Sequence, residues 1–163
     1  MGLVAELQLY DVVVFVHVTA VVVAFGATFA YPFFQTVVER ASPRSVPAMF
    51  RAMHTTSRFL VVPGSLVALA AGIYLTVDRW DFGYLFITVG LSVIVVVIIL
   101  GATFFDRHEV RAIELSERDV AAAGAGEVEL SEEYWEVSRR IARVGMLASL
   151  LILTTVFFMV VKP

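Results

Sequence analysis

The fold of this chain is decided by residues 9–34, LYDVVVFVHVTAVVVAFGATFAYPFF, an apolar stretch with no Lys or Arg inside it. About 20 apolar residues, at a rise of roughly 1.5 Å per residue, cover the ~30 Å hydrocarbon core of a bilayer. The stretch therefore predicts a transmembrane helix. His17 is the titratable side chain that lies well inside it. Ionisable groups at such a depth are costly and usually face a bundle interior, so His17 is the first candidate for a functional residue.

The composition is that of a membrane protein. Of the 163 residues, 60% are hydrophobic and the mean hydropathy is +0.87, whereas apolar residues make up about half of a soluble domain. The chain has no cysteine, which excludes disulfides, thiolate metal sites and a cysteine nucleophile. No positively charged region precedes the first apolar run, so we expect the first helix to be retained and not cleaved as a signal peptide.

Three further apolar segments, at roughly 59–77, 83–105 and 141–161, are also long enough to span a bilayer. Although the middle one is as rich in Val and Ile as a strand, only helices or closed barrels satisfy the backbone in lipid. The sequence therefore predicts an all-α fold, a bundle of four transmembrane helices in a single domain over residues 1–163. The predicted helices are about 9–34, 57–77, 83–122 and 132–161.

The positive charges separate by loop. Ten of the 12 Lys and Arg residues lie on the side of the bundle where the first apolar segment is joined to the second and the third to the fourth, while Arg79 and Lys162 lie on the opposite side. By the positive-inside rule, the ten mark the cytoplasmic side and both termini lie outside. We therefore expect a multi-pass protein of a bacterial or archaeal plasma membrane. The basic residues alternate with acidic ones, so they do not indicate nucleic-acid binding.

The loops on the positive side contain further helical signals. Residues 106–123 carry opposite charges at helical spacing, as in Glu114 and Arg118, so helix three is expected to continue into the cytoplasm. Gly124 would end it, and Ser131 would cap a fourth helix that begins near 132. Helices three and four thus form a predicted hairpin outside the membrane. The segment 46–56 is predicted to form a short interfacial helix that leads into helix two.

Two interpretations of His17 stay open. It is either an axial ligand to a haem iron in the bundle core, or a packing residue that bonds to Ser92, Thr88 or a backbone carbonyl of a neighbouring helix. His54 is excluded as the second haem ligand, because it lies roughly 15–20 Å from His17 in depth at 1.5 Å per residue.

The second axial ligand would instead be Met159 or the His17 of a second protomer. His54 and His108 are interpreted as histidines at the solvent edge.

The second helix carries a stripe of small residues, Gly64, Ala68 and Gly72. Such a stripe allows either close helix packing or a flat slot for a porphyrin ring. At the inner helix ends, Arg58 and Arg143 either extend to lipid headgroups or pair with the propionate of a haem.

Residues 14–33, VFVHVTAVVVAFGATFAYPF, and residues 53–76, MHTTSRFLVVPGSLVALAAGIYLT, resemble the first two helices of a group of small bacterial membrane proteins. The group includes four-helix integral membrane proteins of the DUF2269 type, and it is similar to HemJ-type protoporphyrinogen oxidases and copper-resistance D domains. The resemblance implies that His17 binds haem b. The sequence departs from these relatives, because helix two has no intramembrane lysine and the Met/His clusters of a copper carrier are absent.

The sequence thus supports two hypotheses about function. In the first, the protein binds haem b through His17, with Gly64, Ala68, Arg58 and Arg143 around the ring, and has a redox or haem-linked role. In the second, it is a cofactor-free accessory subunit or a small oligomeric transporter or channel, in which His17 serves packing or proton relay. Either would sit in the lipid bilayer as a homodimer or in a larger complex. Whether the protein is an enzyme is left open.

Overall fold

The computed structural model describes residues 8–162, and in that range it contains helices and turns but no strand. A 3-10 turn, Pro43–Ser45, precedes the second helix, and two π turns, Ser57–Val61 and Gly101–Phe105, make the helices on either side of them continuous. The six α-helices are α1 (Leu9–Ala41), α2 (Val46–Thr56), α3 (Val62–Arg79), α4 (Leu85–Leu100), α5 (Asp106–Ala123) and α6 (Glu132–Val161).

Four continuous helices of 33, 37, 39 and 30 residues are long and apolar enough to cross a membrane. At 1.5 Å per residue they are about 45–60 Å long, so they extend well beyond a ~30 Å hydrocarbon core. The predicted all-α, four-helix membrane bundle is confirmed. We name its two ends by what they contain: the termini end, where α1 begins and α6 ends, and the hairpin end, with α2, α5 and the start of α6.

The first helix is longer than its apolar run predicts, because α1 continues past residue 34 to Ala41. Pro32 lies inside it without ending it. Beyond the apolar run, polar side chains attach α1 to α6. Glu39 accepts hydrogen bonds from Gln35 (3.1 Å), from the Tyr134 hydroxyl (2.6 Å) and from Ser138 (2.6 Å). Tertiary bonds therefore extend the helix where hydropathy gives no signal.

Within the apolar spans, α1 packs closely against α3 through small residues. A Cβ added at Gly64 would lie 3.0 Å from the Cβ of Ala24 and 3.5 Å from the carbonyl oxygen of Ala20. Ala24 and Ala68 are fully buried. In lipid, where helices gain little from hydrophobic burial against each other, such close backbone approach is the main source of association.

The largest core lies at the hairpin end. Phe50 of α2 and Tyr134 of α6 are fully buried and meet edge to face, with ring centroids 6.2 Å apart. The cluster comprises Val46, Phe50, Met53, Ala112, Leu115, Tyr134 and Ile141. The short helix α2 is therefore part of a packed core between α5 and α6.

The hairpin between α5 and α6 forms as the sequence predicts. Gly124, with φ of 55°, ends α5 in a backbone conformation that favours glycine. Ser131 caps α6, because its hydroxyl accepts a bond from the backbone N–H of Tyr134. The carboxylate of Asp119 in turn accepts the backbone N–H of Ser131 at 2.8 Å, which joins the two arms of the hairpin.

We predict that Gly64→Leu destabilises the bundle, because the new side chain must displace Ala24 and the backbone of α1. Overpacking of this kind costs about 1–3 kcal/mol, so the melting temperature in detergent should fall. Gly26→Leu is the matched control, since a Cβ at Gly26 meets nothing within 4 Å. An equal melting temperature for the two variants would contradict the close packing of α1 on α3.

We also predict that Tyr134→Phe lowers the free energy of unfolding by about 1.5–3 kcal/mol, the usual contribution of a hydrogen bond to a charged group. The variant keeps the buried ring and removes only the hydroxyl that donates to Glu39. Tyr84→Phe, at an exposed position, is the control. If thermal unfolding did not distinguish the two variants, the Glu39 bonds would not hold α1 to α6.

Candidate functional site

The bundle contains a large cavity of about 540 Å³ in the half nearer the termini end. Helices α1, α3, α4 and α6 surround it, and its lining is mostly aliphatic and aromatic. His17 and Met159 both line it. Ligand pockets commonly have volumes of about 300–1,000 Å³, so the cavity is large enough for a cofactor.

His17 is held by a hydrogen bond to the next transmembrane helix. Its Nδ1 lies 2.8 Å from the carbonyl oxygen of Ala68. Because a carbonyl oxygen can only accept, Nδ1 must carry the proton. In the neutral ring, Nε2 then has the free lone pair, and among residues 8–162 no hydrogen bond to it is found. Metal-bound histidines commonly donate their second nitrogen to a carbonyl in this way.

Two glycines allow the side chains of His17 and Met159 to lie against neighbouring helices. A Cβ on Gly72 of α3 would lie 3.2 Å from Cε1 of His17. A Cβ on Gly90 of α4 would collide with the methyl group of Met159. His17 and Met159, the two candidate axial ligands of the sequence analysis, thus line the same cavity. Gly72 thus makes room for the imidazole of His17, and Gly90 makes room for the thioether of Met159.

The mouth of the large cavity at the termini end is aromatic and cationic. The ammonium group of Lys162 lies 4.7 Å above the ring of Trp80, and the guanidinium of Arg79 lies 3.9 Å above the ring of Tyr10. Trp80, Tyr10 and Lys162 all line the cavity. Trp and Tyr with basic neighbours are typical of the membrane interface. We therefore expect the mouth of the large cavity to lie at the level of the lipid headgroups.

The structure brings together some of the candidate residues and separates others. Ala68 lines the large cavity and accepts the bond from His17, whereas Gly64 packs against Ala24. Arg58 lies at the hairpin end, where it lines a different and smaller cavity. Arg143 is exposed on α6. Neither arginine is among the residues that line the large cavity, and their pairing with a propionate stays a prediction.

The smaller cavity, of about 100 Å³, contains a site that sequence analysis missed. Glu109 of α5 is buried there, 2% exposed, and its carboxylate lies 3.2 Å from Nδ1 of His54 and 3.4 Å from the hydroxyl of Ser57. His54, which the sequence places at the solvent edge, is partly exposed and pairs with this carboxylate. Glu109 lies beyond the apolar span that ends near Phe105, and burial raises its pKa to about 7 despite the bond from His54.

A signal for this site was present in the sequence. His54 and Ser57, and likewise Asp106 and Glu109, are pairs three residues apart that each share one helix face. Both pairs lie at the same end of two antiparallel helices. What the sequence did not show is that a π turn, Ser57–Val61, joins α2 to α3 without a break and that the two pairs face each other across the bundle.

Three comparisons with known proteins bear on the chain. A family model described as "Predicted integral membrane protein (DUF2269)" matches residues 11–163. No curated protein and no solved structure matches. The similarity to the HemJ-type oxidases and the copper-resistance D domains therefore stays a prediction. Since the family model covers all four long helices, the chain belongs to the DUF2269 family of integral membrane proteins.

Proposed function

We propose that the protein binds haem b in the large cavity, with Nε2 of His17 as an axial ligand. The observation that supports this most directly is the hydrogen bond from Nδ1 of His17 to the carbonyl of Ala68. It fixes the ring and leaves Nε2 as the basic nitrogen, as expected for a ligand to iron. The residues 8–162 contain no group of three or more His, Asp or Glu that could hold a metal ion. A haem iron already has four porphyrin nitrogens as ligands, so a single histidine of the protein is enough to bind it.

The lining of the cavity suits the rest of such a ligand. Met159 of α6 supplies a thioether in the same cavity as His17 of α1. Methionine is a known second ligand to haem iron. The apolar walls would cover the ring, and Lys162 at the mouth is the cation that could pair with a propionate. If Met159 does not bind, a second copy of the chain would supply the other ligand.

A bound haem b would supply one-electron redox chemistry. The chain itself orients the imidazole through Ala68 and excludes water with the aliphatic side chains around it. In addition, we infer from the ten positive charges at the hairpin end that this end faces the cytoplasm of a plasma membrane.

The second candidate function needs no cofactor. The contact of His17 with Ala68 and Gly72 also favours a packing role, since a histidine that bonds to a carbonyl can fix two helices in register. In that case the protein is an accessory subunit or a small transporter. The packing role uses Nδ1 of His17 and the haem role uses Nε2, so substitutions that remove one or both nitrogens distinguish the two roles.

We predict that His17→Asn folds normally and loses haem. The amide nitrogen of asparagine takes the place of Nδ1 and can still donate to Ala68, but nothing replaces Nε2. His17→Phe removes both nitrogens and should also lose about 0.5–1.5 kcal/mol of stability. The measurement is a haem titration of each purified protein, followed by visible spectra of the oxidised and reduced forms and by thermal unfolding.

The wild-type protein should bind near one haem per one or two chains, and His17→Asn should bind at least about tenfold more weakly, which is roughly 1.4 kcal/mol. Gly90→Leu, which would displace the side chain of Met159 and fill part of the cavity, should also reduce binding. Equal binding by wild type and His17→Asn would contradict the ligand role. If the wild type stayed colourless and His17→Phe alone lost stability, the packing role would be supported instead.

A further inference from the structure

Glu109 is a buried carboxylate with an unusual set of neighbours. A buried acidic side chain is normally paired with Lys or Arg, because an isolated charge is costly away from water. Within residues 8–162, the polar side chains that contact Glu109 are instead His54 and the hydroxyl of Ser57. Neither carries a permanent positive charge. The carboxylate is therefore placed where its charged form is costly and a proton would remove that cost.

The backbone around Glu109 is also irregular in two facing helices. The π turn Ser57–Val61 begins at the hydroxyl that contacts Glu109, and the π turn Gly101–Phe105 ends just before Asp106. A Cβ on Gly101 would lie 3.9 Å from the side chain of Val62, so the two helices are close here. Single π turns inside α-helices occur frequently at functional sites.

The small cavity reaches this carboxylate. Its volume of about 100 Å³ is room for several water molecules, and its lining includes His54, Ser57, Asp106 and Glu109. Asp106 is half exposed, so the polar lining continues from the buried carboxylate toward the aqueous surface. This geometry gives a proton a route between Glu109 and bulk water.

The charged and titratable groups around Glu109 come from three directions. From α2 and its π turn come His54 and Arg58, and on the same helix as Glu109 lies Asp106, whose carboxylate is 3.9 Å from Nε2 of His54. From α1 comes Tyr31, which is near enough to feel the charge of Glu109 and whose buried hydroxyl has no hydrogen-bond partner in the described part of the chain. His54 thus lies between two carboxylates.

We propose that Glu109, together with His54, forms a proton-binding site at the hairpin end, and that the small cavity connects it to water. On uptake, a proton from water forms an O–H bond with a carboxylate oxygen of Glu109. With the imidazole neutral, the charge of the pair then changes from one negative charge to none. On release, the O–H bond breaks and the proton returns to water. No other reactant is needed.

The electrostatics of the site agree with this assignment. Burial raises the pKa of Glu109 to about 7, so both states are populated near neutral pH. The raised pKa also has a consequence for stability. The stability that the fold gains from the protonated form of Glu109 is fully present below the pKa of 4.5 in the unfolded chain, and it is lost as the pH rises through about 7. This site is independent of haem, because its residues do not line the large cavity.

The test is infrared spectroscopy of the wild-type protein in neutral lipid vesicles, titrated from about pH 5 to pH 9, a range that brackets the pKa of about 7. We expect the C=O stretch of one protonated carboxyl group to disappear with a midpoint near 7. The band should shift in D₂O, because the cavity exchanges protons with solvent. Glu109→Gln, which is nearly isosteric, should lack the band, whereas Asp106→Asn, at the exposed neighbouring carboxylate, should retain it.

His54→Phe provides a second, independent readout. It removes the bond that favours the ionised form of Glu109, so the midpoint should move to higher pH. In thermal unfolding, the stability of the wild type should decline between about pH 5 and pH 8, and this decline should be smaller in Glu109→Gln. A wild-type protein without a Glu109-dependent carboxyl band in this range would overturn the proposal, as would a midpoint unchanged by His54→Phe.

Discussion

The hydrogen bond between His17 and the carbonyl of Ala68 is the interaction on which the proposed site depends. It crosses the contact between α1 and α3, where Gly64 and Gly72 let the two helices approach each other. The bond fixes the position of the imidazole and requires a proton on Nδ1, because a carbonyl oxygen can only accept. In the neutral ring, the lone pair on Nε2, the basis of the haem proposal, is therefore a consequence of how the helices pack.

The two ends of the bundle are stabilised by different physics. In the lipid-exposed spans, fully buried side chains are small, as with Ala24 and Ala68, and packing relies on close backbone approach. At the hairpin end, water is present and the hydrophobic effect operates, so large side chains such as Phe50 and Tyr134 form a core like that of a soluble protein. This core packs α2, α5 and α6 against one another.

The features predicted from sequence were those with local physical causes. Hydropathy predicted the four spans, Gly124 the end of α5, and Ser131 the cap of α6. The features that were missed depend on tertiary contacts. The extension of α1 beyond residue 34 rests on bonds to α6, and the pairing of His54 with Glu109 joins α2 to α5 across the bundle. From the sequence alone, a charged residue just outside an apolar span is predicted to be exposed to solvent, because the sequence does not show its neighbours across the bundle.

The measurement that tests the central claim most directly is ¹⁵N NMR of the histidine-labelled protein without added haem. The chain has three histidines, so the signals of His17 can be assigned as those absent from His17→Asn. We expect Nδ1 to carry a proton and, in the neutral ring, Nε2 to carry none. A proton on Nε2, with Nδ1 bare, would contradict this expectation, because the bond to Ala68 could not then form and the ligand nitrogen would be blocked.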